Sequence, residues 1–218
     1  MLNAVEQATE LRPGLWRWVA HHPTWQRDVA NYLVTDDEDV ALIDPLAPQG
    51  DAAAAFWEAL DGAANAGRRI TVLVTVPDHA RSAPAIAGRY PGTPVHVATR
   101  RRRRSLEDVD TTPLEPSTPL PAGIRAFETS RADERALWIA PHRALFVGDA
   151  LLGTSDGLKV CPEGWLPKRT TRATVAQALA ALEPLDIDLV LPTHGDPPPD
   201  ARAALREAIA EARGGRVR

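Results

Sequence analysis

Four short apolar runs in this chain, each containing β-branched or bulky aliphatic residues, stop at an aspartate or a histidine. Residues 40–43 run into Asp44-Pro45, and 70–76 into Pro77-Asp78-His79. Residues 144–147 run into Gly148-Asp149, and 187–191, interrupted by Asp188, into Pro192-Thr193-His194-Gly195. Continuous apolar runs of this length, bounded by turn formers, read as strands buried on both faces. Such strands need covering layers, and the segments between them supply helices, so a layered arrangement of helices and sheets is what the chain can fold into. Strand ends are also where such folds gather their sites, because several ends converge.

The length of 218 residues and an apolar content of 44% suit one domain, 1–218, with a substantial core. A formal net charge of −4 argues against a general nucleic-acid binder. The single cysteine, Cys161, excludes an intrachain disulfide and a cysteine-rich zinc site. Any metal must therefore be held by His, Asp or Glu. The first ten residues carry no basic charge, and no apolar run approaches the roughly 18 residues of a membrane span. A cytoplasmic protein without signal peptide or membrane partner is the expectation.

Strands are expected at 15–20, 31–35, 39–43, 69–76 and 95–98, with a loop holding His21, His22 and Trp25. A helix capped by Asp51 presents Phe56, Trp57 and Leu60, and a second covers 81–89, ended by Pro91-Gly92. The stretch 100–123 opens with Arg100 to Arg104, is rich in proline, and reads as an irregular surface excursion within the domain. Strands follow at 124–127, 136–139 and 144–147, the last two joined by a tight turn at Pro141-His142, with His142 exposed. A loop with Gly153, Gly157 and Gly164 leads to a helix presenting Val175, Leu179 and Leu182. The strand 187–191 and a helix capped by Asp200 close the chain. The second half loosely repeats the order of the first, which fits two sheets sandwiched between helices.

Taken with their order, these segments resemble the metallo-β-lactamase superfamily from about residue 12 to about 200. Ala41-Leu42-Ile43-Asp44-Pro45 is similar to the family's strand ending in Asp, and Val72 to His79 stands at the place of its His-x-His-x-Asp-His motif. Gly148-Asp149 is similar to the segment that supplies the bridging carboxylate, and Thr193-His194-Gly195 to the one that supplies the final His. The resemblance implies an α+β fold, an αββα four-layer sandwich, and a metal-dependent hydrolase.

The departures from the motif fall on one ion's ligands. The two motif histidines are replaced by Val74 and Val76, and the stretch 129–133, where a third His belongs, has none. The second ion's set matches one for one at Asp78, His79, Asp149 and His194. The resemblance thus implies a mononuclear site in which a metal-bound water attacks an ester, thioester, amide or lactone of a small molecule. Zinc suits this donor set first, with iron or manganese as alternatives. Asp78 is either a ligand or the general base, and Asp44 stands behind the ligands. His21, His22 and Lys159 are candidate substrate contacts. Two other classes remain open: a binding or scaffold protein that keeps the fold without metal, and an RNA-binding module resting on the arginine run alone. Oligomeric state is not legible.

Overall fold

The computed structural model describes residues 2, 3, 5, 8–98 and 104–214, which group into two compact units. One comprises 1–114 and 119–123, the other 115–118 and 124–218. Arg100 to Arg103 lie outside the described residues, so most of the arginine run does too. Among the described residues no helix is long and apolar enough to cross a membrane.

Among the described residues the first unit is built on seven strands. β1 (Ala8–Arg12), β2 (Leu15–His22), β3 (Arg27–Thr35) and β4 (Asp39–Ile43) form an antiparallel meander. Its connections are short, as antiparallel neighbours permit. Parallel strands need a crossover, and α1 (Asp51–Asn65) provides it between β4 and β5 (Arg69–Val74). α2 (Ala83–Arg89) does the same before β6 (Val95–Val97). Arg69 pins the β4–β5 register by donating Nε and Nη2 to the two carboxylate oxygens of Asp39, at 2.9 and 3.0 Å, across the pair Asp39↔Arg69. Val40, Leu42, Ile70, Val72 and Val74 pack with Phe56 and Leu60 of α1 and Ile86 of α2. Ala41, Ile43 and Leu73, on the opposite face, are also buried, which accounts for runs that are apolar without alternation.

The second unit holds a four-stranded sheet of β8 (Ile124–Glu128), β9 (Arg135–Ile139), β10 (Ala144–Phe146) and β13 (Leu189–Leu191). β13 runs parallel to β10, and the other pairs are antiparallel. The hairpin of β11 (Leu151–Thr154) and β12 (Gly157–Val160) stands apart from it. α3 (Arg172–Ala180) and α4 (Ala201–Ala212) bury Val175, Leu179, Leu205 and Ile209 with Trp138, Leu145 and Val190. α3 begins at a Thr171/Thr174 capping box, and Asp200 caps α4 by accepting the Ala203 N–H at 3.0 Å.

Several expected boundaries move for local reasons. β2 continues through His21 and His22 instead of ending before them, because the turn is confined to residues 23–26, with Gln26 at φ 51°. Asp51 does not cap α1. Gly50 holds the cap position at φ 63°, and Asp51 begins the helix, where its charge suits the N-terminal dipole. α2 starts at Ala83 and not at 81, since Arg81 has a left-handed backbone at φ 38° and Pro77–Ala80 forms a separate 3-10 turn. The 100–123 stretch is not wholly irregular: β7 (Thr111–Pro113) pairs with β6. The glycine-containing loop at 153–157 is the β11–β12 hairpin. Leu182 lies past the end of α3 yet stays buried, and His142 is half-buried.

His96 on β6 gives this unit a pH dependence. Burial lowers its pKa below 6.5, and its Nδ1 is buried without a hydrogen-bond partner among the described residues. A folded-state pKa below the unfolded value leaves stability intact above pH 6.5 and removes it as pH falls through the folded pKa. The urea midpoint is expected to drop between about pH 7.5 and about pH 5.5 more steeply in wild type than in His96→Asn.

Candidate metal site

In the first unit the site is organised by Asp44, which follows β4 directly. Its backbone is left-handed at φ 47°, a costly state for a residue with a Cβ. Hydrogen bonds hold it there. Its N–H donates to the Leu73 carbonyl at 2.9 Å, and its own carbonyl accepts from Arg81 Nη1 at 2.8 Å. The carboxylate is fully buried and takes three donors: the Thr75 N–H (2.7 Å), the Thr75 hydroxyl (2.6 Å) and His79 Nδ1 (2.8 Å). Three donors on one carboxylate offset the cost of burying it.

His79 sits on the 3-10 turn that Pro77 starts after β5, and its side chain is 1% exposed. A proton on Nδ1, donated to Asp44, puts the imidazole lone pair on Nε2. That carboxylate–imidazole arrangement is the one that orients metal-ligating histidines. The Trp25 ring lies tilted against His79 with centroids 5.8 Å apart, stacks on His22 at 3.9 Å, and has the Arg81 guanidinium 5.7 Å from its centre. Arg81 also donates to Asn31 Oδ1 at 3.0 Å, and Asn31 Oδ1 accepts the Leu46 N–H at 2.8 Å. Asp78, next to His79, is exposed.

In the second unit Asp149 and His194 come together. His194 Nε2 is 3.4 Å from Asp149 Oδ1, and both side chains are about one-seventh exposed, at 14% and 15%. The N–H groups of Asp149 and Ala150 both donate to Glu134 Oε1, at 2.7 and 2.8 Å. Glu134 is fully buried, and burial pushes its carboxyl up to about 8. Asp149 adds to that push, while Arg131 and the two amides oppose it. Arg131, 8% exposed, lies with Nε 3.3 Å from Glu134 Oε2 and Nη1 3.7 Å from Asp149 Oδ2. Burial disfavours its charge, but the carboxylates of Glu134, Asp149 and Asp133 outweigh this and raise its pKa. Burial likewise raises the Cys161 thiol to about 11, so it is no nucleophile at neutral pH.

His194 is positioned by a close crossing of two backbones. Its carbonyl accepts the Gly153 N–H at 2.7 Å. Gly195 has φ 84°, and a Cβ there would fall on the Gly153 carbonyl. The Trp165 ring meets the His194 ring edge-on at 5.6 Å.

The remaining residues marked in the sequence are spread out. His21 is exposed and pairs with Asp28 at 2.9 Å, an exposed contact of little energetic weight. His22 Nδ1 accepts the Trp25 N–H at 3.2 Å. Lys159 is exposed on β12 opposite Leu152. Val74 and Val76 are buried and offer no donor atom. Sequence reasoning missed Arg131, Glu134, Arg81 and Trp25. Asp133-Glu134-Arg135 is a charged triplet, and only the apolar 136–139 run after it hinted that Glu134 lies just before a buried strand.

Two substitutions probe these supports. Asp44→Ala strands three buried donors and is expected to lower unfolding free energy by about 2–5 kcal/mol, read from urea denaturation. Gly195→Ala combines a positive φ with a backbone overlap and is expected to cost about 2 kcal/mol or more, with the largest NMR shift changes at Gly153 and His194.

No protein-family model and no curated protein matches the chain in sequence. Solved structures do match it in shape. The DIM-1 metallo-beta-lactamase superposes with a TM-score of 0.71 at 15% identity, covering 95% of this chain and 96% of that one. A metallo-beta-lactamase family protein from Thermus thermophilus matches with a TM-score of 0.65 at 22% identity, covering 94% and 81%. The metallo-beta-lactamase FIM-1 from Pseudomonas aeruginosa, in its mono-zinc form, matches with a TM-score of 0.66 at 14% identity, covering 94% and 95%. With mixed sheets and four α-helices among its described residues, the chain has the metallo-β-lactamase fold.

Proposed function

We propose that this protein is a metal-dependent hydrolase working with one divalent ion. The resemblance to the family's second-ion set gives its ligands as His79, Asp149 and His194, with Asp78 either a fourth ligand or the general base. The observation that carries this is the 2.8 Å contact between Asp44 and His79 Nδ1. A buried carboxylate spent on orienting one imidazole is the support that metal-ligating histidines receive. The pairing of Asp149 with His194 adds a carboxylate and a second imidazole. Two nitrogens, one or two carboxylate oxygens and a water suit zinc, with iron or manganese as alternatives. Val74 and Val76 leave the companion position without two of its donors. A mono-zinc state is also recorded for FIM-1, which shares the fold.

Such an ion, when bound, polarises a carbonyl and lowers the pKa of a water. The chain's own groups do the rest. Asp44 holds the His79 tautomer, and the exposed Asp78 carboxylate can take a proton from an attacking water. Trp25 and Trp165 flank the two histidines with apolar surface. His21, His22 and Lys159 remain candidate contacts, Lys159 for a substrate carboxylate. The substrate is a small ester, thioester, amide or lactone, met in the cytoplasm. β-Lactams are not singled out, because fold does not specify substrate.

A second reading, a metal-free binding protein, is favoured by one observation: a cation, Arg131, already lies 3.7 Å from Asp149. Elemental analysis separates the two. About one equivalent of metal per chain is expected, lost in Asp149→Ala/His194→Ala, together with metal-dependent turnover in a panel of esters, thioesters, amides and lactones. Protein purified from metal-replete medium with no metal and no turnover would overturn the hydrolase.

A further inference from the structure

We propose that Arg131 supplies to Asp149 the positive charge that a first metal ion would bring, so that the site is built for one ion and not two. This rests on the single-ion reading above and gives it a cause. The third histidine of a first site is absent from the stretch 129–133, and Arg131 stands in that stretch. Asp149 shows the consequence. Its Oδ1 faces His194 Nε2 at 3.4 Å, on the side of the retained ligands. Its other oxygen, Oδ2, faces the Arg131 guanidinium at 3.7 Å. A bridging carboxylate divides its two oxygens between two cations, and here one of the two is a side chain.

The guanidinium is placed for this role. It is 8% exposed, and Glu134 holds its Nε at 3.3 Å from below. Glu134 is in turn fixed by the N–H groups of Asp149 and Ala150. Arg131, Glu134 and Asp149 therefore form a closed loop of contacts through one strand end. Among the described residues neither Nε nor Nη1 of Arg131 has a hydrogen-bond partner, so its effect on Asp149 is that of a nearby charge. A permanent cation in this position repels any ion entering beside it and weakens the hold of Asp149 on the ion it shares with His194.

Arg131 is thus a positioning residue whose mark is on metal affinity. The test uses Arg131→Gln/Glu134→Gln, which removes the guanidinium charge, leaves no buried carboxyl without its partner and keeps the acceptor for the two amides. Zn²⁺ alone is titrated into metal-stripped full-length protein against a competing chelator. The double variant is expected to bind Zn²⁺ at least about tenfold tighter than wild type, whereas Arg131→Lys, which keeps the charge, stays within about threefold. Arg131→Met/Glu134→Gln is a second variant with the same expectation, should the first fail to fold. If Arg131 serves only as the structural partner of Glu134, the double variants bind Zn²⁺ like wild type, and the inference is overturned while the one-ion hydrolase stands. Zn²⁺ binding by the double variants but not by wild type would support the inference and overturn the resident ion. No binding by any of them overturns both.

Discussion

The first unit depends on burying one carboxylate. Asp44 has no exposure to water, so every donor it loses by folding must be replaced inside the protein. The replacements come from Thr75 and His79, both C-terminal to the β5 strand that runs beside its own. The backbone of Asp44 is tied in the same direction, through Leu73 on one side and Arg81 on the other. A left-handed aspartate is thereby stabilised, β4 is locked to β5 beyond their ladder, and the 3-10 turn with His79 acquires a fixed orientation. The strain at Asp44 and at Arg81 is the cost of placing one imidazole.

The second unit solves the same problem with a different residue. Glu134 stands just before the β9 strand instead of after one, yet it too is a buried carboxyl that fixes a strand end, by accepting the amides of Asp149 and Ala150. Where Asp44 is matched by neutral donors and an imidazole, Glu134 lies beside a guanidinium. The difference matters for chemistry. His79 meets a carboxylate through its Nδ1, whereas Arg131 brings a fixed cation to Asp149.

Much of the fold was legible because it rests on local rules. The β4 strand is read correctly at 39–43 from the apolar run 40–43, and α4 from its Asp200 cap. Misreadings occur where a residue has two local readings. Asp51 is a good cap in isolation, but Gly50 takes the positive φ that the entry to α1 requires. Gly153 and Gly157 read as a loop, although one lies on a strand at a close backbone crossing and the other serves a hairpin turn. Arg81 is a good helix former that instead bends the chain, since its guanidinium is needed at the Asp44 carbonyl. Burial of Glu134 was hidden in the same way, because a charged triplet looks solvated until its partners are known.

The sequence by itself determined the strand ends at Asp44, Asp149 and His194, and the lack of donors at Val74 and Val76, because residue identity and apolar runs are local properties. It also set the class of fold, since strands buried on both faces require covering helices. Only the tertiary structure decided which of these polar residues meet. Asp44 reaches His79 across 35 positions, Glu134 reaches the amide of Asp149 across 15, and Arg131 faces the same Asp149 from a segment that local rules leave unread. These pairings follow from strand order and from the need to satisfy each buried charge, and no local pattern records either.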